Sequence, residues 1–199
     1  EVEETLLELR ETLRSHPGAA ALVEALVRGG LDGARSTYLD IFDRGGRRAS
    51  LYETEHGHMR GMGKGNELAD IAGFYLAFGV SIDSQRVHEA VDHVAVELEF
   101  YGLLLLKEHH LDGAGDAEGV AVVRDARRKF LLDHLGRFAG SIAARPEVQG
   151  NPLYGPAFGW GAAARQGCAQ RREAQDGAGI VRRFAVAPLA ALDLGLRVD

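Results

Sequence analysis

Apolar residues recur along this chain at helical rather than alternating spacing. Val2, Leu6, Leu9 and Leu13 follow one another at intervals of four, three and four, which puts them on one face of a helix that must end before Pro17. Ala19 to Arg28 predicts a second helix carrying Leu22, Val23, Leu26 and Val27, and Gly29-Gly30 supplies a stop whose backbone needs no Cβ. Leu31 to Phe42 predicts a third, with Leu31, Tyr38, Ile41 and Phe42 inward. From Asp43 to Gly65 the period is lost and six glycines intervene, so a long loop is expected there. Loops of that length inside a compact domain are uncommon and often functional.

The pattern resumes at Asn66, the expected N-cap of a helix bearing Leu68, Ile71, Phe74, Tyr75 and Phe78 and closed by Gly79. A polar connector from Val80 to Ala90 leads into Val91 to His110, a helix of roughly 30 Å and the expected centre of the fold. Asp116 starts another, with Val120, Val123, Phe130, Leu131, Leu135, Phe138 and Ile142 inward until Pro146. A last helical region follows Pro152 or Pro156, and residues 177–199 carry no clear pattern. No segment reads as a strand, because no alternating run is bounded by hairpin dipeptides. The expected fold class is all-α, one domain over residues 1–199 built as a bundle of about seven to ten helices.

Charge and cysteine content narrow the setting. With 29 acidic and 23 basic side chains the net charge is −6, which disfavours nonspecific binding to nucleic acid or anionic membranes and suits a cationic peptide. The pairs Arg171-Arg172 and Arg182-Arg183 oppose that total locally and read first as solvated helix faces. The single cysteine, Cys168, excludes an internal disulfide and points to a reducing, cytoplasmic compartment. The acidic opening Glu1-Val2-Glu3-Glu4 is unlike a secretory signal, and no apolar run approaches the ~20 residues of a membrane span. The chain begins without Met and already in a helical pattern, so a preceding segment is expected.

Eight histidines raise a metal-dependent enzyme as the competing reading. His93 and Glu97 are one helical turn apart and so share a face, and His56-Gly57-His58 and His109-His110 offer further nitrogen ligands. A di-iron or zinc bundle needs a second helical pair, and neither Glu-x-x-His nor His-Glu-x-x-His occurs. Asp92-His93 and Asp133-His134 run opposite to the His-Asp order of metal phosphohydrolases. Cys168 lies among Ala, Gly and Gln, and Gly61-Met62-Gly63-Lys64-Gly65 lacks Walker spacing, so neither a thiol nucleophile nor a phosphate cradle is expected. No cofactor is expected.

Several segments carry a family resemblance in their order. Tyr38-Leu39-Asp40-Ile41-Phe42, Leu51-Tyr52-Glu53-Thr54-Glu55, the stretch Leu68 to Gly79, Asp92-His93-Val94-Ala95-Val96-Glu97-Leu98-Glu99-Phe100 and Phe130 to Phe138 resemble successive motifs of the TorD/DmsD/NarJ family of molybdoenzyme chaperones. The most specific is Asp92 to Phe100, similar to the family's Pro-Asp-His turn leading into a Glu-Leu-Glu-Phe helix, with Val91 here in place of the proline. The matches span residues 31 to 142; the family's first helix is expected to fall ahead of Glu1, and nothing after Ala178 matches.

This resemblance implies a TorD-like, non-enzymatic cytoplasmic chaperone. Its partners would be the catalytic subunit of a molybdopterin oxidoreductase and that subunit's twin-arginine leader, and it would assist cofactor insertion before export as a monomer or a helix-exchanged homodimer. Neither nucleic acid nor stable membrane insertion is implied. A leader of paired arginines followed by an apolar stretch needs carboxylates beside an apolar groove. The acidic candidates are Glu53, Glu55, Asp92 and Glu97, with His93 beside them, and the apolar candidates are Tyr52, Phe74, Tyr75, Phe78 and Phe100. Core packing is the ordinary role for Phe74, Phe78 and Phe100, helix capping for Asp92, and simple solvation for Glu53 and Glu55 on their loop.

Overall fold

The computed structural model describes residues 17–43, 49–56, 63–82, 89–170 and 196–198. The helix expected over Val2 to Leu13, the His58 half of the His-Gly-His stretch and both arginine pairs lie outside these residues. The fold is an all-α bundle. Helix α1 spans Pro17–Tyr38, α2 Lys64–Ala77, α3 Val94–Ala114, α4 Ala117–Phe130, α5 Gly136–Ala143, α6 Pro146–Gln149 and α7 Tyr154–Gln170. Wider π-helical turns follow α1 at Leu39–Asp43 and join α4 to α5 at Leu131–Leu135.

Glycine punctuates the bundle as its backbone freedom requires. Gly30, with φ 65°, kinks α1 at the stop expected between two helices, and Gly115, with φ 76°, ends α3 in the left-handed conformation that costs other residues most. Leu31, just past the kink, is exposed rather than inward. The side chain of Asp116 accepts the Gly119 N–H at 2.9 Å and so caps α4 as its position suggested.

Two expected caps are replaced. Asn66 lies inside α2, whose cap is Gly63, because the helix begins at Lys64. At α3 the cap is His93, not Asp92: its Nδ1 accepts the Ala95 N–H at 3.2 Å, and the helix starts three residues later than the apolar pattern alone indicated.

One pairing corrects the expectation that nothing is extended. Val80–Ile82 (β1), in the connector read as polar, pairs antiparallel with Leu196–Val198 (β2), Val80 opposite Val198. Neither segment has hairpin signals because its partner lies more than a hundred residues away.

The core forms where α2, α3 and α4 meet. Phe100 meets Tyr75 at a tilt and Phe130 edge-on, with ring centroids 4.7 and 4.9 Å apart, and Phe74 meets Phe130 edge-on at 5.3 Å. Such aromatic pairs contribute about 0.5–1.5 kcal/mol each beyond their burial. Helix α3 packs chiefly on α4, and α5 on α7.

Candidate functional site

The segment 49–56 lies across the start of α3 and brings the candidate residues together. Glu53 donates its N–H to the Asp92 carbonyl at 2.9 Å, Val94 donates to the Leu51 carbonyl at 2.9 Å, and Tyr52 faces His93 as an isolated antiparallel bridge. Part of the expected long loop is therefore a strap tied to the helix N-terminus by backbone bonds.

Beneath the strap sits a polar cluster whose inner members, Glu53, Asp92, Glu97 and His134, are buried. Glu53 is 1% exposed and Glu97 fully buried, so neither is a solvated loop or surface carboxylate. One Glu53 oxygen takes Arg137 Nη2 at 2.8 Å and the other lies 3.1 Å from His134 Nδ1. Arg137 also reaches Glu67 at 2.6 Å. His134 Nε2 is 3.2 Å from Asp70 Oδ2 but without the alignment of a hydrogen bond. Asp92 is buried and accepts from Thr54 twice, from Oγ1 at 2.6 Å and from the backbone N–H at 3.3 Å. Asp92 thus anchors the strap where a cap was expected.

Glu97 is the anomaly. No donor reaches either of its oxygens, and the carboxylates of Glu53 and Asp92 share its enclosure. Burial, reinforced by the Glu53 and Asp92 charges and only partly relieved by Arg137, pushes its carboxyl up to about 10. Two carboxylates so placed do not both ionise at neutral pH, so Glu97 holds its proton and becomes the donor toward Glu53. At His134 burial works against the charged form, but the hydrogen bond and charge of Glu53, with Asp70, outweigh it and raise the imidazole above its ordinary value. His93 goes the other way: burial lowers it, and Glu89 and Asp92 only partly offset this.

On the other side of the strap an apolar groove of about 250 Å³ opens between α7, the two π-helical turns and the start of α3. Tyr38, Phe42, Leu98, Tyr154, Phe158 and Trp160 line it, with Leu51 and His93 at its floor. Leu98 and Trp160, large apolar side chains 48% and 43% exposed, stand at its mouth. Two carboxylates act on its lining from nearby: Glu89 accepts the Tyr52 hydroxyl hydrogen, and the charges of Glu89 and Asp43 both act on Tyr38, whose phenol is raised first by burial and then by them.

The candidates therefore separate. Tyr52 and His93 touch each other edge-on at 5.1 Å beside the groove, and His93 lines it. Glu53, Asp92 and Glu97 form the buried cluster behind, and Glu55 ends the strap's short 3-10 turn, partly exposed. Tyr75 and Phe100 belong to the aromatic core, with Phe74 and Phe78 packed against it, and none of the four lines the groove. Residue patterns missed Thr54, Glu67, Asp70, His134 and Arg137 in the cluster and the groove residues of α7. His134 and Arg137, three apart in a segment otherwise apolar on that face, were the available signal. Among the described residues no group of three or more His, Cys, Asp or Glu side chains is arranged to hold a metal. His93 Nδ1 is engaged by the Ala95 N–H, and a protonated Glu97 is a poor ligand.

Fold and site together define, among the described residues, a helical bundle with an apolar groove and a buried network of ionisable groups that ties down the strap. The chain belongs to the nitrate reductase delta subunit family, whose model matches residues 1–144. This is the NarJ/TorD-type family of nitrate reductase chaperones, and it is non-catalytic. No curated protein and no solved structure gives a match. No helix among the described residues is long and apolar enough to cross a membrane.

Proposed function

We propose that this chain is a cytoplasmic chaperone, one TorD-like domain without a cofactor of its own, that binds the twin-arginine leader and apoprotein of a molybdopterin-dependent oxidoreductase's catalytic subunit. In this role it holds the subunit receptive to its cofactor and delays export until insertion is complete. The observation that carries the reading is family membership over residues 1–144. The groove supports it, because its apolar walls suit the apolar part of a leader, while Glu89 and Asp43, whose charges reach the lining residue Tyr38, suit guanidinium groups. In this reading His93, which lines the groove, and Tyr52, which packs against His93, contact that peptide. Glu53, Asp92 and Glu97 act by fixing the strap that carries Tyr52 and Leu51, and Glu55 lies at the end of the same strap.

Calorimetric titration with a synthetic peptide of paired arginines and an apolar run tests this. Binding is expected, with partial weakening by salt because the apolar run also contributes. A peptide whose apolar run is replaced by serines should bind at least tenfold more weakly; equal binding would remove the groove from the account. Co-purification with the catalytic subunit, with and without its leader, tests the client class itself.

A further inference from the structure

The groove is hollow because of the residues that α7 places against it. Ala157, Gly161 and Ala164 follow one another at intervals of four and three, so they share one face of that helix, and all three line the groove. Ala95 on α3 and Ala139 on α5 add two more small side chains to the lining. Leucines in such positions would fill the space, as the apolar stripes of a closed bundle do. Leaving it open forgoes dispersion contacts along its walls, a loss that an occupant recovers. Gly161 has a separate reason to be small, since a Cβ there would stand 3.2 Å from the Ala139 Cβ. Ala157 and Ala164 are only partly buried, and a longer side chain at either has the groove to extend into.

The aromatic part of the lining is held in place. Phe42 meets Tyr154 edge-on at 5.2 Å and Phe158 at a tilt at 5.9 Å, and the Tyr154 hydroxyl donates to the Ala34 carbonyl at 3.2 Å. The lining contains no Asp, Glu, Lys or Arg; the Tyr101 hydroxyl already accepts from Arg127 Nη1 at 3.0 Å, and His93 Nδ1 from the Ala95 N–H. A polar occupant would therefore lose water without gaining partners. The volume of about 250 Å³ exceeds the roughly 150 Å³ of an apolar cavity that takes one benzene, so a leucine or phenylalanine side chain fits, whereas alanine leaves most of the space empty. Charge orients the rest of the occupant: Glu89 and Asp43 act on Tyr38, which puts basic residues on the Tyr38 side of the groove.

We propose that Ala157 and Ala164 set the selectivity of this groove, so that it reads its occupant by size and takes a large apolar side chain, leucine or phenylalanine, from the run that follows a leader's arginines. The inference rests on the leader-binding reading for the identity of the occupant. The family match ends at residue 144, ahead of α7, so membership does not by itself fix this preference.

The experiment uses the full chain and two variants, Ala157→Leu and Ala164→Leu, each checked by circular dichroism and thermal melting for an intact fold. Two synthetic peptides share paired arginines and differ in carrying leucines or alanines in the apolar run. The parent should bind the leucine peptide at least about tenfold more tightly, since each leucine buries about three more carbons than alanine. In each variant that ratio should fall toward one. Toluene tests the hollow without any leader. Trp160, the chain's single tryptophan, stands at the groove mouth, and toluene should change its emission saturably in the parent and bind at least about fivefold more weakly in the variants. A leucine-to-alanine ratio near one in the parent, or a ratio unchanged in both variants, would overturn the proposal. Toluene binding that is absent from the parent, or equal in all three proteins, would overturn it as well. Toluene binding lost in the variants of a parent that ignores both peptides would support the size filter while removing the leader reading.

Discussion

Replacing Glu97 with Gln should make this protein more stable at neutral pH, although it removes the central member of a buried network. Glu97 is fully buried, no donor reaches its oxygens, and its carboxyl rises from 4.5 to about 10 on folding. Between those values the folded state holds a proton that the unfolded chain has released. Stability is therefore fully present below the unfolded value and falls as pH rises, by about 1.4 kcal/mol per pH unit. From 4.5 to pH 7 is two and a half such units, a loss of up to roughly 3 kcal/mol. Gln has the same shape, donates toward Glu53 as the protonated acid does, and has no proton to lose. The variant should match the parent near pH 4.5 and exceed it by up to roughly 3 kcal/mol at pH 7, about 6–12 °C in melting temperature for a chain of this size.

Two histidines set the background against which this is read. His134, raised, contributes stability that is present below its unfolded value of 6.5 and lost as pH rises through the folded value. His93, lowered, contributes stability that is present above 6.5 and lost as pH falls through its folded value. Both contributions persist in the variant, so the test is the difference between two urea-denaturation series from pH 5 to 9, not the slope of either. Parallel profiles would refute the reasoning, since they would mean that Glu97 titrates in the folded state much as it does in the unfolded chain.

Three further outcomes are expected. Arg137→Ala should cost about 1–2 kcal/mol in chemical denaturation, less than a fully buried ion pair because the Arg137 side chain is 47% exposed, yet more than a surface pair because Glu53 beneath it is buried. Gly136→Ala should destabilise by about 1–3 kcal/mol in thermal melts, since a Cβ there would stand 2.5 Å from the Leu131 carbonyl oxygen and 2.7 Å from Arg165 Cβ; a neutral result would mean the joint between the π-helical turn and α5 is looser than described. Asp92→Asn should weaken the Thr54 anchor by about 1 kcal/mol in denaturation while barely changing affinity for the synthetic leader, whereas Glu89→Gln should weaken that affinity roughly tenfold in the same titration. The reverse pattern would return the recognition site to Asp92.

Local signals in the sequence determined the helices and the family. Apolar spacing marks α1 to α5 because a packed helix must bury one stripe every 3.6 residues, and the breaks at Gly30, Gly79 and Gly115 fall where a positive φ is needed. Asp116 was legible as a cap because its partner, Gly119, is three residues away. The Asp92 to Phe100 stretch carried the family resemblance, and the match over residues 1–144 shows the family. Tertiary structure alone decided the rest, because each missing feature depends on residues distant in the chain. Glu53 meets His134 and Arg137 across more than eighty residues, and only that meeting turns a loop glutamate into a buried one. Thr54 claims Asp92 and leaves the cap to His93. The groove is walled by α1, α3 and α7 together, and β1 becomes a strand only when Leu196–Val198 returns to it. Local spacing encodes which stripe of a helix is apolar, but which stripes meet, and which charges are trapped between them, is fixed only by packing.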